Sequence, residues 1–147
     1  MSNKKILATV LTLAAFSFAN AESIAEMKKW EPITKAFQED IDSLNQSCGL
    51  AVKGSIDKKS FSTLNSDEHS INGRCGEAVS AVRTLCNSLD DALKKKLAKK
   101  ITAINCSFGG AGKRKFTLSS GIVKLAVDVT ATDQSAKDNA VLEKIEL

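Results

Sequence analysis

TAINCSFGGAGKRKFTLSSGIVKLAVDVT, residues 102–130, is the stretch in which the hydrophobic period becomes two. Ile104, Cys106 and Phe108 fall on one face of a first strand, and Phe116 and Leu118 on one face of a second. Val123, Leu125, Val127 and Val129 alternate with Lys124, Ala126, Asp128 and Thr130 in a third. Strict alternation of this kind marks strands with one face buried and one face wet. Ser119-Ser120-Gly121 reads as the turn between the last two strands, and Gly109 to Gly112 as a loop turning strand 102–108 back into strand 113–119. The segment therefore predicts an antiparallel three-strand meander.

The loop inside it, FGGAGKRKF (residues 108–116), sets glycines beside Lys113, Arg114 and Lys115. Glycine next to lysine is how phosphate-binding loops are built, because bare backbone amides can approach an anion. The spacing does not fit. A G-x-x-x-x-G-K-[ST] loop ending at Gly112-Lys113 would need glycine where Ser107 stands and a hydroxyl where Arg114 stands. The G-x-G-x-x-G pattern would need glycine at Lys115. A hairpin loop is the simpler reading. Its three basic side chains are candidate contacts for an acidic partner.

Upstream, the period is helical. Ser23 and Glu26 have capping-box spacing, and Pro32 is expected to interrupt or restart that helix. Ile33, Phe37, Ile41, Leu44 and Cys48 recur at helical spacing, ending near Gly49. Residues 50–57 read as a further strand, weakened by Gly54. Residues 58–74 are polar and read as a long connection anchored by Phe61 and Leu64. Helices are expected over 77–87 and 88–101, with Leu89, Leu93, Leu97 and Ile101 as the buried stripe of the second. The lysines of that helix, Lys95 and Lys99 among them, form a solvated face matched to the helix dipole and a second candidate contact surface. A final helix starts at Ser135, with Val141, Leu142 and Ile145 inward. The fold class is α+β. It has a small antiparallel sheet, the meander plus a possible fourth strand at 50–57, covered on one face by helices and braced by two disulfides. The other face should meet solvent or a partner.

The chain begins MSNKKILATVLTLAAFSFANAES. Two lysines, an uncharged apolar run and Ala19-Asn20-Ala21 make the three-part pattern of a secretory signal peptide spanning 1–21. Residues 22–147 are then a single exported domain, expected in a bacterial periplasm and not membrane-embedded. Taking Lys4 and Lys5 from 21 basic residues leaves 19 against 17 acidic ones, too near balance for a nucleic-acid binder.

Cys48, Cys75, Cys86 and Cys106 all lie in that domain, and an even number in an exported chain implies disulfides. Wide gaps and a single histidine, His69, argue against a metal site. A helix between Cys75 and Cys86 would hold them about 16 Å apart, which excludes that pair. Core-facing directions favour Cys86–Cys106, leaving Cys48–Cys75 over the alternative of Cys48–Cys86 with Cys75–Cys106. His69, in SDEHS, is a candidate contact in a polar loop.

No nucleophile, metalloprotease or nucleotide motif is present, and no cofactor is implied. The leading expectation is a non-enzymatic exported protein that acts by binding another protein, as an inhibitor or immunity protein would. A hydrolase using carboxylates assembled by the fold, or a binder of small anions at the basic loop, are the alternatives.

Overall fold

The computed structural model describes residues 23–64, 70–128 and 135–147. The signal-peptide reading of 1–21, the candidate His69, and Val129 and Thr130 of the expected third strand lie outside the described residues. Four helices and four strands follow in the order α1 (Ile24–Cys48), β1 (Lys53–Ile56), α2 (Ile71–Asn87), α3 (Asp91–Lys100), β2 (Ala103–Phe108), β3 (Lys115–Ser119), β4 (Ile122–Val127) and α4 (Ser135–Leu142). The protein is α+β, with the fourth strand present and two disulfides formed.

Helix α1 starts with the capping box read from the sequence. The Ser23 hydroxyl accepts from the Glu26 amide at 3.2 Å, and the Glu26 carboxylate accepts from the Ser23 amide at 3.4 Å. Pro32 does not interrupt the helix. Its missing N–H removes the bond to the carbonyl of Lys28, an exposed residue. Trp30, Phe37, Ile41, Leu44 and Cys48 bury one stripe on both sides of the proline, and that packing holds the helix through it. Gly49 ends α1 in the left-handed region at φ +65°. Asn45 then bonds both backbone groups of Val52 at 2.9 Å, which seats β1 against the end of α1.

The expected fourth strand forms despite Gly54, which sits where β1 meets α1. A Cβ there would lie 2.7 Å from Ile41 Cγ1 and 2.9 Å from Phe37 Cε1, so the strand can press on α1 only because position 54 has no side chain. The connection after β1 is shorter than 58–74. A 3-10 helix, Lys58–Phe61, buries Phe61 between Trp30 and Phe108, each ring centroid 6.0 Å away. Helix α2 then begins six residues before the expected Glu77, at Ile71, capped by Ser70. Helix α3 is capped by Asp90, whose carboxylate accepts from Leu93 at 2.8 Å, and Ser88 instead closes α2. Leu97 and Ile101 are buried beneath α3.

The sheet is mixed, in the order β1-β2-β4-β3. β2 is parallel to both β1 and β4, and only β3 and β4 are antiparallel. The expected antiparallel meander is therefore corrected. The 119–121 turn does join β3 to β4, but that hairpin places β4 between β2 and β3. Strands 103–108 and 115–119 are consecutive in sequence and are not neighbours. The Gly109 amide donates to the Val127 carbonyl at 2.9 Å, so the glycine loop crosses the end of β4 rather than making a tight hairpin. Alternation says which side chains face inward. It is silent about which strand lies beside which.

The disulfides are Cys48–Cys86 and Cys75–Cys106. The favoured pairing of Cys48–Cys75 with Cys86–Cys106 is thus overturned. Starting α2 at Ile71 places Cys75 inside the helix. Eleven residues at about 100° each return within about 20° of the starting direction. Cys75 and Cys86 therefore share the buried stripe of Val79 and Val82, and facing the core does not distinguish them. Position along the axis does. The Arg83 guanidinium donates to the Asp40 carbonyl and the Ser43 hydroxyl, laying α2 alongside the second half of α1, and Cys48 then meets the C-terminal end of α2.

Ile104, Cys106, Val123 and Leu125 point from the sheet into the core, with Phe116 and Leu118 half-buried beside them. Helices α1, α2 and α4 cover this face.

Candidate functional site

The glycine loop is held from three sides. Lys113 donates its amide to the Gly110 carbonyl at 3.1 Å, closing a turn with Gly110 and Gly112 in the left-handed region. The Gly112 amide donates to the carboxylate of Asp128, a residue 5% exposed that follows β4. A Cβ on Gly109 would come within 2.6 Å of the Lys113 carbonyl oxygen, so the chain folds back on bare backbone there.

Arg114 closes the arrangement. Its guanidinium donates through Nη1 to Asp138 Oδ1 at 2.8 Å, through Nη2 to Asp138 Oδ2, and through Nη2 to Glu77 Oε2 at 3.0 Å. Three elements, the β3 approach, α2 and α4, meet at this fork. The Asp138 side chain is 1% exposed and that of Arg114 12%. A planar, always-charged group that binds a carboxylate through two parallel bonds is the residue suited to such a site. The carboxylates, Asp138 foremost, raise the guanidinium pKa above its ordinary value, partly offset by burial. Glu77 also receives Arg74 at 3.5 Å. Of the three basic residues proposed as loop contacts, Arg114 is thus turned inward as a clamp, while Lys113 and Lys115 remain exposed.

Two concavities flank this cluster. One of about 510 Å³ lies over α1 and α2, lined by Asp40, Glu77 and Arg83 among others. The other, about 410 Å³, is lined by Gly112, Arg114, Phe116, Asp128 and Lys137 among others. In each, a carboxylate of the wall is already engaged by a guanidinium or a backbone amide. No three His, Cys, Asp or Glu residues among the described residues are placed to share a metal ion.

Lys95 and Lys99 are exposed on α3. The second face of the sheet, expected to meet solvent or a partner, carries a set of lysines that the sequence reading did not propose as contacts, Lys115 apart. In the four strands the ionisable residues are Lys53, Lys115 and Lys124, all exposed and all on the face opposite the core. Between them lie Ser55, Asn105, Ser107, Thr117 and Ser119 with Ala103 and Ala126. The register aligns Ser55, Asn105, Lys124 and Thr117 in one row across all four strands. The Ser55 hydroxyl donates to Asn105 Oδ1 at 2.9 Å, and the register pairs Asn105 with Lys124. None of the described helices packs on this face. The signal in sequence was the polar phase of each strand, but only the parallel pairing of β1 with β2 brings Lys53 onto the same surface as Lys115 and Lys124.

No helix among the described residues is long and apolar enough to cross a membrane. No family model matches the chain, and neither does any curated protein or solved structure.

Proposed function

We propose that the chain is an exported, non-enzymatic binding protein that acts by contact with another protein, its most concrete form being an inhibitor or immunity protein in the periplasm. The observation that carries this reading is a sheet face that none of the described helices covers, on a rigid support. Two disulfides tie α1, α2 and β2 together behind that face, which carries three lysines among mostly small or polar side chains. A surface that changes little on association loses little conformational entropy. Disulfides also suit an oxidising compartment, as export would supply. The buried charges support the same view, because Arg114, Asp138 and Glu77 are spent on one another. The anion-binding alternative at the loop loses its central residue for that reason. The test is retention by the immobilised, oxidised protein of a stoichiometric protein partner from envelope extract at physiological salt. Retention of none would overturn the reading.

A further inference from the structure

We propose that the open face of the sheet docks an acidic, extended segment of the partner protein, lying diagonally over Lys53, Lys124 and Lys115. This rests on the protein-binding reading above and assigns its surface.

The register sets the geometry. Lys53 pairs with Ala103, Lys124 with Asn105 and Lys115 with Ala126, the partner of Ser107. Each step along the row of lysines therefore climbs two residues. With strands about 4.8 Å apart and a rise of about 3.3 Å per residue, Lys53 to Lys124 is about 12 Å and Lys124 to Lys115 about 8 Å. The three charges form a stripe about 20 Å long, the span of about six extended residues. Along it, Asn105 and Thr117 flank Lys124 with further hydrogen-bonding groups. No carboxylate belongs to the strands; the nearest in sequence are Asp57, which follows β1, and Asp128, bonded to the glycine loop.

The same geometry selects the occupant. Three strand spacings by five or six residues make a patch of about 300 Å² in plan, well below the roughly 800 Å² per partner of a standard interface. That size fits a segment rather than a second globular face. A second copy would set lysine against lysine. An apolar partner would find Ile122 as the one large hydrophobic side chain among small and polar ones. Carboxylates meet the stripe with opposite charge, and charges spaced near the Debye length make the attraction steeply salt-dependent.

The experiment uses the oxidised protein purified after export, with acetylated, amidated hexaglutamate as the probe and hexaglutamine as its control. Amide chemical shifts are followed by NMR. Saturable changes centred on Ser55, Asn105, Lys124 and Thr117, weakening strongly from about 20 to about 150 mM salt, are expected. K53E/K115E/K124E should lose about tenfold or more in affinity, and K95E/K99E less than about twofold. Unchanged melting of both variants guards against misfolding. Changes centred on α3 or on residues 109–114, no saturable binding of hexaglutamate at low salt, or binding of anionic vesicles without binding of hexaglutamate would each overturn the proposal. In the extract experiment, a partner kept equally by wild type and K53E/K115E/K124E overturns this surface but leaves the protein-binding reading standing. A partner kept by neither overturns both.

Discussion

Arg114→Ala tests the clamp most sharply. The substitution removes three charge-assisted hydrogen bonds and leaves the Asp138 carboxylate, 1% exposed, with no cation. Breaking a buried pair from one side costs about 3–5 kcal/mol, because the remaining charge is neither paired nor hydrated. Glu77 softens the loss. Its side chain is 18% exposed and still faces Arg74, so water and Arg74 recover part of its interaction. The lower half of that range is expected, about 3–4 kcal/mol, and a melting temperature lower by about 10–15 °C for a domain of this size. Asp138→Asn should cost less, since the amide keeps an oxygen for Arg114 and Glu77 keeps the guanidinium. Glu77→Gln should cost least. Arg114→Met with Asp138→Leu should recover much of the single-variant loss, because no buried charge is then left alone. Chemical unfolding with both disulfides intact measures each value. Raising the arginine pKa on folding means that its contribution is fully present below its unfolded pKa and fades only as pH rises through the folded one. The difference between wild type and Arg114→Ala should therefore stay flat from pH 7 to pH 10 on the arginine's account. A deficit near 1 kcal/mol, or Glu77→Gln costing more than Asp138→Asn, would refute the reasoning.

Gly54→Ala should destabilise by about 1–3 kcal/mol in thermal or urea unfolding, because its methyl would fall 2.7 Å from Ile41 and force α1 off the strand. In the loop, Gly112→Ala meets open space and carries only the strain of φ +69°, about 1 kcal/mol, whereas Gly109→Ala meets the Lys113 carbonyl and should cost more. Peptide mapping without reduction should link Cys48 to Cys86 and Cys75 to Cys106. Replacing either pair by serine should cost up to about 4 kcal/mol for loops of 38 and 31 residues.

Local chemistry made much of the fold readable. The Ser23 capping box, the helical stripe of α1 and the strand alternation after Thr102 each depend on residues close in sequence, and each appears where the pattern put it. The misreadings concern relations between distant segments. Cys75 and Cys86 look alike from the core, so their partners depend on how α1 lies against α2. Gly54 lowers strand propensity taken alone and is required once Phe37 and Ile41 press on it. Arg114 looks like Lys113 and Lys115 in a basic run, but Asp138 and Glu77, 24 and 37 residues away, draw it inward. Lys53 and Lys124 are ordinary exposed strand lysines in sequence, and only the register places both on one surface.

The two disulfides interleave along the chain, in the order 48, 75, 86, 106. Their closed loops overlap, and together they span every peptide bond from Cys48 to Cys106. A protease that cuts any one of those bonds opens a ring without releasing a fragment, since at least one disulfide bypasses the break. Between Cys75 and Cys86 both do. One nick in the polar connection after Phe61 therefore leaves a single covalent molecule, with α1, α2 and β2 still fastened together.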